Sequence, residues 1–88
     1  MMVAQKAIIK NTTGLHLRPA GLFCETAVQF KSKVSFQYRN TTANAKSILS
    51  VLGACIKSGD EIEVICEGED EKEALEAMIK AIEDGLGE

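Results

Sequence analysis

The sequence predicts an α+β fold, an open-faced two-layer sandwich in which three helices cover one face of a four-stranded, mostly antiparallel sheet. Two segments alternate between apolar and polar residues, which is typical of strands with one exposed face. Three other segments place apolar residues at the spacing of one buried helical face. The order is βαββαβα, and three helices can each bury an apolar stripe only by sharing one face of the sheet.

The first strand and the first helix are predicted in the N-terminal third of the chain. Residues 3–9 are rich in apolar and β-branched side chains, and their imperfect alternation predicts a strand that is covered on one face and paired on both sides. After a polar turn, the first helix is predicted over 17–28 or 17–30. Its buried face consists of residues at i, i+3, i+4 and i+7, which are Ala20, Phe23, Cys24 and Ala27.

A hairpin and a short helix follow. Residues 33–38 alternate cleanly, and Arg39-Asn40 predicts a tight turn into a short strand over 41–43. Ser47 is well placed to cap a second helix, because serine oxygens satisfy the free N–H groups at a helix start. Gly59 ends this segment.

The last strand and the last helix complete the order. Residues 61–67 alternate again and predict a half-exposed strand. The last helix begins near Asp70, which has the spacing of a capping box with Glu73, and acidic residues in its first turn suit the helix dipole. Gly85 ends the helix.

Length and charge exclude several classes of function. A chain of 88 residues predicts a single domain, residues 1–88, with no deep pocket, so any chemistry should lie at the surface. The net charge of −3 argues against direct binding of nucleic acid or an anionic membrane. No signal-peptide core is present, and the longest apolar run, 48–56, is far shorter than the about 20 residues that span a bilayer. We therefore expect a cytoplasmic monomer that does not insert into membranes.

The three cysteines do not predict a metal or redox site. Cys24, Cys55 and Cys66 are widely spaced, form no C-x-x-C pair and share the chain with a single histidine. We expect all three to be reduced, buried or half-buried apolar fillers. No cofactor and no metal ion are predicted.

The chain is organised around Gly14-Leu15-His16-Leu17-Arg18-Pro19-Ala20, which holds its only histidine and its only proline. Pro19 suits the first turn of a helix, so His16 should lie at or beside the N-cap, and Gly14 should allow a sharp turn into that position. The first N–H groups of a helix lack internal partners and carry partial positive charge, so this end can bind phosphate. The N–H groups of Leu17 and Arg18 are the predicted donors.

These residue types in this order suit phosphoryl transfer. The positive helix end disfavours imidazolium, so we expect the ring of His16 to be biased towards its neutral, nucleophilic form. Arg18 adds a guanidinium fork that matches phosphate oxygens. A neutral imidazole beside a phosphate site can accept a phosphoryl group and pass it on. The alternative is a non-catalytic binding module in which His16 is a capping or surface residue, which is the commoner role of a lone histidine. An acylphosphatase-like hydrolase would use similar phosphate binding.

The short second helix carries more apolar residues than one buried face requires. Ile48, Leu49 and Leu52 either complete the core or remain partly exposed as a docking patch. The sequence favours neither interpretation over the other.

Three stretches resemble one bacterial family, and together they extend over the whole chain. Residues 14–20 resemble the active-site motif of HPr, the histidine-containing phosphocarrier of the bacterial sugar phosphotransferase system. Lys46-Ser47-Ile48-Leu49 resembles the regulatory serine motif of HPr from Gram-positive bacteria. Residues 68–71 and 85–88 are similar to the family's start of the last helix and to its closing residues. The predicted element order is also that of the HPr fold.

The resemblance implies a role for each motif. His16 would receive a phosphoryl group on Nδ1 from enzyme I, which uses phosphoenolpyruvate, and would donate it to a sugar-specific enzyme IIA. Arg18 would steady the phosphoryl group. Ser47 would be phosphorylated by an ATP-dependent HPr kinase/phosphorylase in carbon catabolite control. The patch residues Ile48, Leu49 and Leu52 would meet partners, including the catabolite control protein. The chain would be a carrier and would not turn over a substrate alone.

Two residues near His16 depart from the family's usual pattern. Leu17 stands where alanine is usual, and Gly21 stands where threonine, serine or alanine is usual. Both are expected at the partner interface, so they bear on partner fit and not on the phosphoryl chemistry. His16 argues against the regulatory paralogue that lacks the histidine, and Lys46-Ser47-Ile48 argues against the nitrogen-branch phosphocarrier that lacks the serine motif.

Overall fold

The computed structural model describes residues 1–87 and contains four strands and three helices in the predicted order. The elements are β1 (Met2–Ile8), α1 (Leu17–Val28), β2 (Lys33–Tyr38), β3 (Thr41–Asn44), α2 (Ile48–Gly53), β4 (Glu61–Glu67) and α3 (Glu71–Glu83). The strands form one sheet in the order β1-β4-β2-β3, and every neighbouring pair is antiparallel. The predicted open-faced α+β sandwich is confirmed.

The position of β1 differs from the prediction. It is an edge strand that pairs with β4 alone, in a register from Met2↔Glu67 to Ile8↔Glu61. The prediction of pairing on both sides was therefore wrong. Met2 and Ile8 are exposed, apolar residues, so apolar side chains occur outside the buried face. This accounts for the imperfect alternation without a second neighbouring strand.

The core lies between the sheet and the helices. The alternate residues Ile62, Val64 and Cys66 of β4 are buried, as the alternation predicts. From α1, Phe23 packs edge-on against Phe36 of β2, with ring centroids 5.6 Å apart and planes at 85°. The other large buried side chains come from β2, α2, α3 and the segment after β1, and include Val34, Val51, Met78, Ile82 and Ile9.

The start of α3 is held differently from the predicted capping box. Asp70 is the N-cap residue, but its carboxylate makes no capping hydrogen bond. It accepts instead from the Ser32 hydroxyl at 2.5 Å, the Ser32 N–H at 2.9 Å and the Lys31 N–H at 3.0 Å. These bonds, the one from the Ser32 hydroxyl above all, lower the pKa of Asp70 to about 2. The N–H of Gly68 finds its acceptor in Glu71, at 3.1 Å. Asp70 thus ties the α1–β2 loop to the start of α3.

The cysteines fit the prediction of buried or half-buried fillers at two positions of three. Cys66 is buried, and burial raises the pKa of its thiol to about 11. Cys24 is half-buried and its thiol donates to the carbonyl of Lys46 at 3.1 Å. Cys55 is exposed and has a φ of +55°, so the prediction was wrong there. It lies in the turn after α2, where the left-handed backbone leaves it in solvent although the next residue, Ile56, is buried.

Residues 1–87 show neither a membrane-spanning helix nor a metal-binding group of side chains. No helix in this range is long and apolar enough to cross a membrane. No three His, Cys, Asp or Glu side chains in the same range are grouped so that they could hold a metal ion.

Candidate functional site

Gly14 sets the path of the chain into the candidate site. It is buried, with a φ of +68°, and a Cβ at this position would lie 2.5 Å from the carbonyl oxygen of Ile56. The N–H of Gly14 donates to the carbonyl of Asn11 at 3.0 Å, and the amide side chain of Asn11 donates to the carbonyl of Gly14. Leu15 is buried and its N–H donates to Ile56 at 3.0 Å. The backbone immediately before His16 is thus held in place by these hydrogen bonds.

His16 is the N-cap residue of α1, as predicted. Its backbone is extended, with φ −76° and ψ −175°, and its carbonyl accepts from the N–H of Ala20 at 2.8 Å. The imidazole makes no capping hydrogen bond and is exposed. The interpretation of His16 as a side-chain cap is therefore wrong, and the ring is open to solvent at a helix start.

Leu17, Arg18 and Pro19 form the first turn of α1. The bond from Ala20 to His16 is the first hydrogen bond of the helix, so the N–H groups of Leu17 and Arg18 precede it. Both side chains are exposed, and 72% of the Leu17 side chain's possible area is accessible. Pro19 is buried and offers no donor. The turn therefore presents two N–H groups, an apolar side chain and a guanidinium next to the imidazole, at the helix end that favours anions.

Two open hollows, each of about 450 Å³, adjoin the imidazole. Both are lined by Thr13, His16 and Leu17. The first hollow is otherwise apolar on most of its wall and is completed by Leu15, Leu52, Cys55, Ile56 and Lys57. The second contains Arg18 and is completed by Pro19, Leu86 and Gly87. The imidazole and the guanidinium thus share one surface depression.

Lys57, which lines the first hollow, belongs to a hydrogen-bonded group centred on Asp60. Asp60 accepts from the hydroxyl of Tyr38 at 2.5 Å and from the N–H of Lys57 at 2.9 Å. The bond from Tyr38 is the main reason that the pKa of Asp60 lies below its usual value. The N–H of Ile9 donates to the Asp60 carbonyl at 2.9 Å. The loop before β4 is therefore tied both to the β2–β3 hairpin and to the segment after β1.

Ser47 is the N-cap residue of α2, as predicted. Its hydroxyl oxygen accepts from the N–H of Ser50 at 3.2 Å, and its carbonyl accepts from Val51 at 3.0 Å. The preceding residue, Lys46, is held by α1 and the loop after it. Its carbonyl accepts from the thiol of Cys24 in α1, and its ammonium donates to the carbonyl of Phe30 at 2.7 Å. Ser47 is thus presented on a fixed segment, half-buried at the start of a six-residue helix.

The structure brings some of the predicted interface residues to the imidazole and leaves others apart. Leu17 and Leu52 line a hollow with His16. Leu49 is 79% exposed but lines neither hollow, and Ile48 is half-buried against the core. Gly21 is half-buried with open space where its side chain would be, and lines neither hollow. Leu49 is therefore exposed as a docking patch would require, whereas Ile48 helps to complete the core. Leu52 does both, because it packs against the core and also lines the hollow beside His16.

Sequence reasoning missed several residues of these walls. The loop residues Thr13, Cys55, Ile56 and Lys57 and the closing turn residues Leu86 and Gly87 were not predicted near His16. The loop residues carry no sequence signal for this placement, because it depends on the contact between Gly14 and Ile56. The closing turn does carry a sequence signal, because Gly-Leu-Gly after an amphipathic helix indicates a left-handed turn whose apolar residue is buried.

Comparison with known proteins gives consistent results. Residues 3–84 match the model of a family described as PTS HPr component phosphorylation site. The chain is 43% identical over 82 residues to the HPr-like protein Crh of Halalkalibacterium halodurans, which covers 93% of this chain and 98% of that protein. It is 38% identical over 77 residues to the phosphocarrier protein HPr of Treponema pallidum, with 88% of each chain covered.

The structural neighbours belong to the same two groups. A crystal structure of HPr from Thermoanaerobacter tengcongensis matches with a TM-score of 0.94, 40% identity, and coverage of 98% of this chain and 97% of that one. Crystals of Crh from Bacillus subtilis gave a structure described as a dimer with a swapping domain, which matches with a TM-score of 0.76, 37% identity, and coverage of 94% and 95%. The expectation of a monomer receives no support from such a relative.

Proposed function

The chain belongs to the HPr family of the phosphotransferase system, and from this premise we propose that it carries a phosphoryl group on His16. HPr is a phosphocarrier and not an enzyme that turns over a substrate by itself. We further propose that residues 1–88 form one domain of this family and act in the cytoplasm, in phosphoenolpyruvate-dependent sugar transport. The matched range of 3–84 supports the single domain.

One observation carries the proposal. The imidazole of His16 is exposed at the start of α1, is not used as a cap, and shares a hollow with the Arg18 guanidinium. A nitrogen lone pair of the imidazole can thus attack a phosphorus atom, beside a cation and the N–H groups of a helix start.

The proposed transfer has two steps, in which one phosphoryl group passes first to His16 and then from His16 to an acceptor. His16 would attack the phosphohistidine of enzyme I; the bond from phosphorus to the His16 nitrogen forms as the donor's P–N bond breaks, and the donor imidazole leaves with its electron pair. In the second step phosphorylated His16 would be the donor: a nucleophile of enzyme IIA would attack the phosphorus, and the His16 imidazole would leave with its electron pair. Arg18 would hold the oxygens of the transferring group, and the N–H groups of Leu17 and Arg18 would complete the site.

The test is stoichiometric labelling. Incubation with enzyme I and phosphoenolpyruvate should place one phosphate on the chain, labile in acid and stable in base. His16→Ala should abolish this label while leaving the circular dichroism spectrum unchanged, because the side chain is exposed and makes no cap. Acid-labile phosphate on the alanine variant would contradict the assignment. The regulatory paralogue and the binding module both predict an unlabelled wild-type chain.

We propose a second function for Ser47, as a site of regulatory phosphorylation by an ATP-dependent HPr kinase/phosphorylase. The similarity to Crh favours it, since one Crh structure is described as the catabolite repression HPr of Bacillus subtilis. The position of the Ser47 hydroxyl on a segment held by Lys46 is compatible with presentation to a kinase. The catabolite control protein would then read the phosphorylated form. Incubation with the kinase and ATP should give an acid-stable phosphate that Ser47→Ala removes.

The proposed partner surface combines the apolar residues near both sites. Leu17, Leu49 and Leu52 would contact enzyme I and enzyme IIA, with Gly21 and Ile48 at its margin. The exposure of Leu17 and Leu49, at 72% and 79%, supports this assignment because a partner can bury exposed apolar side chains on two neighbouring helices. Size-exclusion chromatography with light scattering should distinguish the proposed monomer from a dimer such as the one described for Crh.

A further inference from the structure

The turn after α3, residues 85–87, is an anchored element of the fold. Leu86 is only 3% exposed, and its N–H donates to the carbonyl of Ala81 at 3.1 Å. The N–H of Gly85 donates to Ile82, also at 3.1 Å. All three residues have positive φ, at 86°, 49° and 89°. This is the geometry of a left-handed helix end whose apolar anchor packs back on the core.

The anchored turn passes close to the side chain that shares a hollow with the imidazole. A Cβ built on Gly87 would lie 2.5 Å from Cδ1 of Leu22 and 3.7 Å from Nε of Arg18. Leu86 and Gly87 line the hollow that contains His16 and Arg18. The backbone of Gly87 therefore forms the side of this hollow next to the guanidinium.

We propose that Gly87 is a positioning residue for Arg18. With no side chain of its own, it lets the turn pass close enough to Leu22 and Arg18 to limit the guanidinium to orientations that face the hollow. A long, exposed arginine otherwise samples many rotamers, and only a few of them place its planar fork beside a group on the imidazole. This proposal rests on the proposed function, in which Arg18 holds the transferring phosphoryl group.

A side chain at position 87 would disturb this arrangement in a defined direction. The contact with Leu22 is closer than any real Cβ contact, so the turn or the leucine must move. The contacted Leu22 atom is the end of a flexible side chain and takes up part of the displacement. Because Leu86 is anchored in the core, the remainder falls on Gly87 and moves its backbone away from Leu22 and the adjacent Arg18. The guanidinium then has more orientations, so phosphoryl transfer slows. Leu17 and Leu52 both lie more than 4 Å from the added Cβ and keep their places, so partner affinity is retained.

The experiment compares two glycines that have nearly the same positive φ. Gly59 has a φ of +90° against +89° at Gly87, but no atom lies within 4 Å of its virtual Cβ. Gly87→Ala therefore adds strain and a contact, whereas Gly59→Ala adds strain alone. We expect Gly87→Ala to lower the rate constant for phosphorylation by enzyme I on the order of tenfold, with KM little changed. Gly59→Ala should behave as the wild type.

A double-mutant cycle separates positioning from a structural role. If Gly87 acts through Arg18, the combined variant Gly87→Ala/Arg18→Ala should transfer no more slowly than Arg18→Ala alone. Leu22→Ala, which removes the contacted atom, should restore most of the rate in the Gly87→Ala background. This second variant also keeps the test open should Gly87→Ala alone fold poorly. A full additional loss in the combined variant, or equal rates for the two glycine variants, would overturn the proposal.

A small phosphoryl donor makes the two proposals distinguishable. Phosphoramidate needs no docking surface: its P–N bond breaks as the imidazole nitrogen binds phosphorus, and ammonia leaves. Failure of enzyme I to label the wild-type chain would count against the proposed function. The rates of labelling by phosphoramidate would still test the role of Gly87. We expect Gly87→Ala to be slower than Gly59→Ala, and Gly59→Ala to match the wild type. Equal phosphoramidate rates for Gly87→Ala and Gly59→Ala would overturn it.

Discussion

Gly14 shows how much of the site depends on one residue without a side chain. Its φ of +68° and the close carbonyl of Ile56 exclude every other residue type without a backbone shift. The sequence predicts the turn, because glycine precedes the motif. It does not predict the contact with Ile56, which comes from a loop about forty residues away in the chain. The histidine's position at the helix start was predictable, and the walls around it were not.

We expect the side chain of Arg18 to contribute to phosphoryl transfer and not to folding. Its side chain is exposed, and residues 1–87 offer it no salt bridge. Arg18→Ala should therefore change the free energy of unfolding by less than about 0.5 kcal/mol, as for an ordinary surface substitution. Enzyme I-dependent phosphorylation should slow markedly, because the cation beside the imidazole is lost.

The other arginine supplies a matched control for this prediction. Arg39 stacks on the ring of Tyr38 at 5.0 Å and lines neither hollow beside the imidazole. Arg39→Ala should therefore transfer at the wild-type rate. Urea unfolding and the initial rate of phosphate incorporation should be measured on both variants. A large loss of stability in Arg18→Ala together with normal transfer would reverse the assigned role.

Among the elements, the alternating strands and the amphipathic helices were predictable, since their periodicity depends only on the chain itself. The place of β1 at the sheet edge was not, because strand order is decided by long-range pairing that alternation does not encode.

The hydrogen bonds of the Asp70 carboxylate were not predictable either. Its sequence position suggests a cap, yet its carboxylate bonds to Ser32 in a loop that is distant in the sequence.

The bonds of Asp70 predict a pH dependence of stability. Its pKa is about 2 in the folded chain, below the ordinary value of 3.8, mainly because the Ser32 hydroxyl and the Lys31 N–H bind the carboxylate. A depressed folded pKa contributes stability that is present above the unfolded pKa and is lost as the pH falls. Asp70→Asn should thus be less stable than the wild type at pH 7, and the difference should shrink between about pH 4 and pH 2.

Thermal unfolding over this pH range measures the effect. Ser32→Ala removes the largest cause of the shift and should weaken the pH dependence without abolishing it, since two N–H donors remain. Parallel curves for the wild type and Asp70→Asn between pH 7 and pH 2 would show that these bonds do not stabilise the fold.

The Ser47 cap of α2 is expected to contribute to the stability of the fold. Ser47 accepts from the N–H of Ser50 in a helix of only six residues, so little else holds its first turn. Ser47→Ala should cost about 0.5–2 kcal/mol of unfolding free energy. Ser47→Asp keeps an acceptor and should recover most of it. Ser58→Ala, at an exposed serine of the next loop, is the control and should be neutral. A neutral Ser47→Ala would remove the capping role.

For the whole molecule, the two candidate phosphorylation sites lie on neighbouring helices that contribute to one surface. Leu52 of α2 lines a hollow with His16 at the start of α1, and α1 and α2 pack against each other. The sequence separates the two motifs by about thirty residues, so this common surface follows only from the fold. A change of charge at Ser47 therefore alters the field that a partner of His16 meets.

Phosphorylation of Ser47 should slow the acceptance of phosphate by His16 without unfolding the chain. The phosphate would add a charge of roughly −1.5 to −2 at the start of α2, where the helix dipole favours it, so stability should not fall. The Lys46 ammonium beside it is already bonded to the carbonyl of Phe30 at 2.7 Å, and so offers only partial compensation. The new charge then disfavours docking by an apolar or acidic surface and favours a partner with arginine or lysine.

The decisive measurement is the enzyme I-dependent phosphorylation rate of the Ser47-phosphorylated and the unmodified chain, at equal concentration and fixed salt. The phosphorylated chain should be slower, and Ser47→Asp should show the same effect more weakly because it carries less charge. Since the effect is electrostatic and acts at an exposed surface, raising the ionic strength from about 0.01 M to about 1 M should bring the two rates together. Equal rates at low salt would leave Ser47 as a helix cap alone and would remove the regulatory role.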